Sequence, residues 1–152
     1  MELVGKSARQ YAALPFRRSP DLEILLVTSR ETGRWVIPKG WPMKGASPSA
    51  AAGREAMEEA GVTGRMAKSP LGAYAYVKFL KSGLGMACKV KVFALEVLDQ
   101  RADWPEKAQR VTRWFPAGEA AAAVHERSLA RIIRKFAKTG GRERGKGKGG
   151  GS

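Results

Sequence analysis

Apolar and polar residues alternate in a way that predicts several short strands in the first third of the chain. Residues 11–16 and 22–29 are apolar runs of strand length, and the residues between them, 18–21 ("RSPD"), are typical of a turn. The segment 34–38, "RWVIP", is a candidate third strand that ends at its proline. A loop rich in glycine and proline, "KGWPMKGASP", follows it.

The next segment has the start and end signals of an α-helix. Ser47 suits the N-cap, Pro48 fits the first helical position and Gly61 suits the C-cap, which together predict a helix over about 48–60. At about 100° per residue, three glutamates share one face of this helix and small or apolar residues share the opposite face. We expect the small face to pack closely on a sheet and the carboxylates to point away from the core. The acidic face holds Glu55, Glu58 and Glu59, and the opposite face holds Ser49, Gly53, Ala56, Met57 and Ala60.

The second half of the chain predicts a hairpin, a further strand and two helices. Residues 64–80 and 86–98 are rich in Val, Tyr, Phe and Leu on either side of "KSGLG", the pattern of a long hairpin. A polar loop leads to a strand at 110–115, and two helical stretches, "AGEAAAAV" and "RSLARIIRKFAK", follow Pro116. Strands and helices mix without strict alternation, which favours an α/β (α+β) fold with a mixed sheet and helices on its faces.

Length and composition indicate one globular domain followed by a basic tail. The chain has 152 residues, and its shares of 43% hydrophobic and 28% charged residues exclude disorder throughout. We expect the domain over 1–139 and a flexible tail over 140–152 ("GGRERGKGKGGGS"), which either only improves solubility or contacts RNA or acidic surfaces. No apolar run reaches the roughly 18 to 20 residues that span a bilayer. The single cysteine, Cys88, and the lack of a secretory signal pattern favour a cytoplasmic location.

The net charge of the chain bears on how the acidic face of the predicted helix is interpreted. The formal net charge is +14, with 28 basic and 14 acidic residues, so the protein attracts polyanions such as nucleic acid or polyphosphates. Three glutamates on one face of a helix in such a chain have two explanations. One is an ordinary solvated face, and the other is a site for divalent cations, because Mg²⁺ binds carboxylate oxygens together with substrate phosphates.

The segment from Gly40 to Val62, "GWPMKGASPSAAAGREAMEEAGV", resembles the Nudix box. The box consists of a glycine, five residues, a glutamate, seven residues and then Arg-Glu-apolar-x-Glu-Glu-x-Gly-apolar. This chain keeps the spacing but has Ala46 where the box has its first glutamate, which in the family supports the loop and the outer metal shell. The resemblance implies a Nudix-type α/β/α sandwich and casts doubt on metal affinity more than on the existence of the site.

In the Nudix family this loop and helix bind Mg²⁺ or Mn²⁺ and position a diphosphate for attack by water. By resemblance, Glu55, Glu58 and Glu59 are metal ligands and catalytic residues, and Glu55 is a candidate for polarising the water. Arg54 would hold the glutamates by ion pairing. A backbone carbonyl near Lys39-Gly40 would complete the metal shell.

Most of residues 8–136 resemble the diphosphoinositol polyphosphate phosphohydrolase branch, through "LLVTSRETGRWVIPKG" and "DWPEKAQRVTRWF". Enzymes of that branch also act on dinucleoside polyphosphates. Glu106 and Asp103 are candidates for an extra base or metal ligand, although a loop carboxylate is commonly only solvated. Trp104 is a weaker candidate than Trp41 for stacking on a base or capping the pocket. The predicted substrate contacts are Arg9, Arg17, Ser29, Arg30, Lys39, Trp41, Lys44 and Arg110.

These features predict a metal-dependent pyrophosphohydrolase acting on phosphorus-containing acid anhydrides, with a diphosphoinositol polyphosphate or dinucleoside polyphosphate as substrate. One alternative is an RNA 5′-pyrophosphohydrolase, which the basic tail favours. The other is a Nudix module that binds a phosphorylated ligand without turnover, which Ala46 favours. We expect no membrane partner and a monomer or homodimer, and the lone His125 supports no histidine-based mechanism.

Overall fold

The computed structural model describes residues 7–140, which form eight strands, three α-helices and two short helical turns. The strands are β1 (Ala8–Arg18), β2 (Leu22–Thr28), β3 (Trp35–Val36), β4 (Lys39–Gly40), β5 (Val62–Met66), β6 (Gly72–Phe79), β7 (Gly85–Gln100) and β8 (Thr112–Pro116). The helices are α1 (Pro48–Ala60), α2 (Ala117–Ala123) and α3 (Arg127–Lys135), with a 3-10 turn at Lys107–Gln109 and a π-helical turn at Phe136–Gly140. None of the helices within 7–140 has the length and apolar character needed to cross a membrane. Beyond Gly140, the predicted basic tail lies outside the described residues.

The strands form one mixed sheet organised around β1. β1 runs parallel to β7, with residues 8–16 opposite 88–96, and antiparallel to β2 at its C-terminal end. At Tyr11 and Ala12, β1 pairs with β4 instead of β2. This change of partner brings Lys39 and Gly40 into the sheet beside β1, where helix α1 packs on both strands.

Side chains along β1 point alternately to the two faces of the sheet. Ala12, Leu14 and Phe16 are buried with residues of α2 and α3, whereas Tyr11 and Ala13 are buried with residues of α1. Every residue from 10 to 16 is therefore buried, because helices cover both faces of this strand. The predicted α/β/α sandwich with a mixed sheet is confirmed.

The observed strands differ from the predicted ones where polar residues or proline interrupt the pattern. β1 begins at Ala8 rather than at residue 11, because its first residues pair with β7 through their backbone, whatever side chains they carry. The predicted hairpin arm over 64–80 is divided into β5 and β6, which both pair with β7. Pro70 lies in the interruption, where a proline has no N–H to donate to the ladder. The predicted hairpin turn at "KSGLG" is confirmed between β6 and β7.

Candidate functional site

Helix α1 begins and ends where its capping residues predict. The Ser47 Oγ accepts a hydrogen bond from the Ala50 N–H at 3.2 Å, and Pro48 occupies the first turn. Gly61 ends the helix in a left-handed conformation, with a φ of 72°, and its N–H donates to the Met57 carbonyl at 3.0 Å. These local interactions fix the boundaries of the helix that carries the three glutamates.

The buried face of α1 agrees only in part with the one that its small residues predicted, because Ala56 and Ala60 are buried but Ser49, Gly53 and Met57 are only half-buried. The buried residues of the helix are Ala51, Ala52, Ala56, Glu59 and Ala60. Glu59 is only 5% exposed and belongs to the face that packs on the sheet, whereas Arg54 is exposed. The prediction that all three carboxylates point away from the core is therefore wrong for Glu59. The alanines supply most of the flat apolar surface, and Gly53 lies close beside it, since a methyl group there would come within 3.2 Å of Met66 Cγ.

Glu55 lies directly against the backbone of Gly40. A methyl group at Gly40 would come within 2.1 Å of Glu55 Oε2, so a glycine is needed for the carboxylate to occupy this position. Gly40 is itself held in the sheet by its pairing with Tyr11 of β1. The glycine that opens the predicted box thus lets the Glu55 carboxylate reach the middle strands.

Burial raises the pKa of two members, Glu55 and Glu59, of the acidic cluster that Glu55, Glu58 and Glu59 form on α1. Burial, assisted by the charges of Glu58 and Glu106, raises the pKa of Glu55 to about 7. Burial also raises the pKa of Glu59 to about 8, although the Arg110 guanidinium favours its ionised form. When carboxyl groups lie close together with little access to water, binding a proton or a cation stabilises them.

Arg110 supplies the positive charge beside these carboxyl groups. Its Nη2 lies 3.6 Å from Glu59 Oε2, its Nε donates to Glu106 Oε1 at 2.7 Å, and its Nη1 donates to the Thr28 carbonyl at 2.9 Å. The side chains of Arg110 and Glu59 are 9% and 7% exposed. Among the ion pairs formed within residues 7–140, none involves Arg54. The ion pair predicted for Arg54 is therefore formed by Arg110, which the sequence had suggested only as a phosphate contact.

Glu106 also belongs to this cluster. Its carboxylate is 19% exposed and pairs with Arg110, and the Arg30 Nη1 lies 4.0 Å from it. Its backbone N–H donates to the carbonyl of Glu58 at 3.0 Å. The loop carboxylate predicted as an extra base or ligand thus lies beside α1.

Two surface clefts of the described residues are lined by none of the glutamates of α1. One, of about 760 Å³, is lined by residues of the loop after β7, including Asp103 and Trp104. The other, of about 450 Å³, follows β6 and β7 and is lined by Tyr74 and Cys88, among others. Asp103 is thus part of a surface cleft, whereas Glu106 is part of the acidic cluster.

The donor atoms of Glu55, Glu58 and Glu59 are of the kind that a hard divalent cation prefers. They are carboxylate oxygens, and the Glu55 carboxylate lies against the backbone at Gly40 of β4. In the part of the chain that the structure describes, no three Asp, Glu, His or Cys side chains converge closely enough to hold a metal ion as they stand. The donor chemistry and the raised carboxyl pKa values fit a divalent cation, and the assignment of individual ligands stays a prediction.

Lys39 lies among groups that the sequence did not single out. Its Nζ is 5.0 Å from the centre of the Tyr76 ring, and the Tyr76 hydroxyl donates to Gln10 Oε1 at 2.7 Å. Burial lowers the pKa of Lys39, and the Glu59 carboxylate opposes this shift. No local signal marks Tyr76 or Gln10, because both occupy ordinary alternating strand positions that only the sheet brings together.

Three further residues of the predicted substrate site lie on loops near these elements. Trp41 is 43% exposed and Lys44 is exposed, both between β4 and α1. Arg30 donates to Gln109 Oε1 at 2.6 Å, which places it beside the loop that carries Glu106. Their contacts with substrate stay predictions.

Two other predicted substrate residues are engaged in contacts within the protein. Arg17 donates to Glu23 Oε1 at 2.7 Å, and its guanidinium lies 4.0 Å from the centre of the Trp114 ring. The Ser29 Oγ accepts from two following backbone N–H groups at 3.3 Å and so closes the turn after β2. Arg9 is exposed at the start of β1. Of these three residues, only Arg9 takes part in no ion pair or turn among the described residues.

Ala46 completes its loop without the glutamate that the box has at this position. Its N–H donates to the Met43 carbonyl at 3.1 Å, and Gly45 between them is left-handed, with a φ of 81°. Ala46 is exposed. The turn is thus held by its backbone, and the missing carboxylate removes a candidate ligand without opening the loop.

Comparison with known proteins gives one family. The model of the NUDIX domain matches residues 8–136. Nudix hydrolase 13, mitochondrial, of Arabidopsis thaliana is 39% identical over 104 residues, covering 65% of this chain and 52% of the relative. Diphosphoinositol polyphosphate phosphohydrolase 3-alpha of Mus musculus is 33% identical over 115 residues, covering 74% of this chain and 66% of the relative. This chain spans about half the length of the Arabidopsis relatives it matches.

Solved structures share the same fold at low sequence identity. The crystal structure of a C. elegans Ap4A hydrolase superposes with a TM-score of 0.63 at 20% identity, covering 88% of this chain and 98% of that one. The E. coli dihydroneopterin triphosphate pyrophosphohydrolase gives 0.66 at 17% identity, covering 87% and 98%. The names of the Arabidopsis relatives include "mitochondrial", so the cytoplasmic location stays a prediction.

Proposed function

This chain belongs to the NUDIX domain family, and we propose that it is a divalent-metal-dependent pyrophosphohydrolase acting on a highly phosphorylated small molecule. The observation that carries the proposal is the carboxylate cluster of Glu55, Glu58 and Glu59 on α1. The backbone of Gly40 borders this cluster on one side and the buried guanidinium of Arg110 borders it on another.

The residues of the cluster have distinct parts in such a reaction. Glu55, Glu58 and Glu59 would hold the cation, together with a main-chain carbonyl near Lys39-Gly40. A bound Mg²⁺ or Mn²⁺ supplies positive charge to phosphate oxygens and makes water more acidic. Glu55 is the candidate for orienting the attacking water, and Glu106, which Arg110 holds beside α1, is the alternative.

Basic residues around the cluster support a substrate with several phosphates. Phosphoryl transfer depends mainly on positioning and on neutralising the phosphate charge. Lys39 lies close enough to Glu59 for their charges to interact, and Arg30 lies beside Glu106. Both cations could contact phosphates next to the bond that is cleaved.

A diphosphoinositol polyphosphate is the first substrate to test, and a dinucleoside polyphosphate is the second. The 33% identity with the mouse diphosphoinositol polyphosphate phosphohydrolase supports the first choice. The second follows from the resemblance to that branch of the family, whose enzymes act on both classes. Both substrates combine a phosphoanhydride with further phosphates.

The test is the release of phosphate or nucleotide in the presence of Mg²⁺. A diphosphoinositol polyphosphate, diadenosine tetraphosphate and a 5′-triphosphorylated RNA are compared as substrates of the full chain. We expect Glu58→Gln and Glu59→Gln to lower kcat by roughly 100-fold or more, because each removes charge that holds the cation. Glu119→Gln, which removes an exposed carboxylate on α2, is the matched control and should keep full activity.

Each other outcome points to a different conclusion. Undiminished turnover in both glutamine variants would refute the assigned mechanism. Preferential RNA turnover that falls when residues 140–152 are deleted would favour the RNA 5′-pyrophosphohydrolase, because that segment carries four basic side chains and one glutamate. Ligand binding without turnover at saturating Mg²⁺ would favour a binding module.

A further inference from the structure

Residues 101–110, which form all but the last residue of the loop between β7 and β8, fold back onto the C-terminal end of helix α1. We call this segment the strap. Seven of its ten residues are exposed. The three that are partly buried are Trp104, Glu106 and Arg110, and each of them contacts α1 or one of its glutamates. The inward side of the strap is therefore directed at the helix that carries the predicted metal ligands.

The strap satisfies main-chain carbonyl groups at the end of α1. An α-helix leaves its last four carbonyl groups without partners inside the helix. The Glu58 carbonyl accepts from the Glu106 N–H at 3.0 Å, and the Glu59 carbonyl accepts from the Trp104 Nε1–H at 3.2 Å. Both carbonyl groups belong to predicted metal ligands.

The last turn of α1 is electrostatically unfavourable by itself. Glu58 and Glu59 lie at the negative end of the helix dipole, where carboxylates destabilise a helix. The turn contains no basic residue that would compensate them. Donors from outside the helix are therefore needed to hold these two residues in helical geometry, and the strap provides them.

The Trp104 side chain is held in place for this contact. Its ring lies against Gly61, where a methyl group would come within 2.4 Å of the ring Cε3. The Arg101 N–H donates to the Gly61 carbonyl at 2.8 Å, and Lys107 Nζ lies 5.3 Å from the centre of the indole ring. Lys107 also binds the Ala102 carbonyl within the strap. The indole is thus fixed between the end of α1 and residues of its own loop.

The strap contacts both the main chain and the side chain of Glu59. Trp104 binds the carbonyl of Glu59, and Arg110 lies 3.6 Å from its carboxylate. We propose that Trp104 is a positioning residue, whose indole N–H holds the last turn of α1 so that Glu58 and Glu59 are oriented to bind a divalent cation. This role rests on the proposed function, because it concerns the same cation, and it differs from the base stacking that the sequence suggested for Trp104.

The test is the affinity for Mn²⁺, measured from the electron paramagnetic resonance signal of the free ion, which requires no turnover. Trp104→Phe removes the N–H and keeps an aromatic ring on Gly61. We expect its Kd for Mn²⁺ to rise by about tenfold or more, as when a partner of a metal ligand is lost. Its melting temperature in EDTA should fall by no more than about 4 °C, as for one neutral hydrogen bond. Its KM for substrate should stay unchanged.

Trp114→Phe is the matched control. It removes an indole N–H that donates to Gln100 Oε1 at 3.3 Å, between β8 and β7 rather than on α1. Its Kd for Mn²⁺ should equal that of the wild type. An equal rise in both variants, or no rise in Trp104→Phe, overturns the proposal. A large loss of melting temperature in EDTA with an unchanged Kd also overturns it, since that result indicates a structural role alone.

Two further measurements keep the outcome decisive. If Trp104→Phe does not fold, substitution of Trp104 by β-(3-benzothienyl)alanine keeps the bicyclic ring without the N–H and is measured in the same way. Glu59→Gln identifies the cation site itself. If the wild type does not bind Mn²⁺, or Glu59→Gln binds it equally well, the proposed metal site fails and this inference fails with it. Binding that depends on Glu59 but not on Trp104 overturns the positioning role alone.

Discussion

Glu59 is the residue whose position in the core most needs a physical explanation. A buried carboxyl group is costly unless it is neutral, paired or bound to a cation. Burial raises the pKa of Glu59 to about 8, so without a cation the group takes up a proton near neutral pH even though Arg110 is close. Arg110 itself is satisfied by the Glu106 carboxylate and the Thr28 carbonyl. Arg110 is therefore a structural cation of this site as well as a neighbour of Glu59.

Replacing Arg110 with methionine tests this structural role. Arg110→Met leaves the Thr28 carbonyl and the Glu106 carboxylate without their donor, and we expect the free energy of unfolding in EDTA to fall by about 2 kcal/mol. Urea denaturation measures the change. Arg65→Met is the control, because Arg65 pairs with Glu96 at 2.6 Å but is 63% exposed. That change should cost less than about 1 kcal/mol. Equal losses in the two variants would contradict a structural role for the buried pair.

Gly40 is the second residue whose identity the structure explains. In Gly40→Ala the new methyl group needs the space of the Glu55 carboxylate, which can move because it is the end of a flexible side chain. We expect kcat to fall by roughly 100-fold, as for a catalytic group displaced by about 1 Å. The melting temperature should change little. A steady-state assay and a thermal melt measure the two effects.

Gly118→Ala is the control for Gly40→Ala. A methyl group at Gly118 on α2 would meet nothing within 4 Å, so the activity should not change. Full activity in Gly40→Ala would show that the close contact with Glu55 is dispensable.

Among the elements, α1 determines where the site lies. Its buried face consists of alanines around Glu59, and this face packs on β1 and β4. Small side chains let the helix backbone approach the sheet, so that Glu55 reaches Gly40. The capped ends then set the register of all three glutamates.

Enlarging this face should move the helix. Ala56 is fully buried, and we expect Ala56→Leu to lower the free energy of unfolding by about 1–3 kcal/mol, because the added atoms overpack the interface. Activity should fall as well, since α1 can no longer hold Glu55 against Gly40. Ala50→Leu on the exposed side of the same helix is the control and should be close to neutral. Urea denaturation measures the free energy of unfolding of both variants. Equal losses in Ala56→Leu and Ala50→Leu would contradict close packing at Ala56.

For the whole molecule, the excess of basic residues is the property that acts beyond the site. A net charge of +14 produces a positive field that steers polyanions toward the protein, and salt screens this field. The acidic cluster of α1 lies within this positive surrounding. The acidic cluster and the positive net charge complement each other, since the cluster would hold a cation and the positive charge attracts phosphates.

This field predicts the salt dependence of turnover. Between about 0.05 and 0.3 M KCl we expect kcat/KM for a diphosphoinositol polyphosphate to fall on the order of tenfold, because steering is lost. The decrease should be smaller for diadenosine tetraphosphate, which carries fewer charges, and kcat should change little for either. Initial rates at several salt concentrations measure this, and equal salt slopes for both substrates would contradict charge steering.

By itself the sequence determined the parts of this protein that depend on neighbouring residues. Ser47, Pro48 and Gly61 were sufficient to predict the bounds of α1, because capping is local. The spacing from Gly40 to Val62 was sufficient to predict the family, since that motif is one continuous segment of the sequence, from the end of β4 through α1 to the start of β5.

Only the tertiary structure decided which groups surround the glutamates. Glu59 is buried by segments that are distant from it in sequence. Its ion pair is formed with Arg110 rather than with Arg54, and Trp104 contacts the end of α1, and both of these contacts also join distant segments. The pairing of β1 with β7 likewise brings distant segments together. Local propensity carries no information on such contacts, because they depend on how the sheet orders its strands and on which face of the helix meets it.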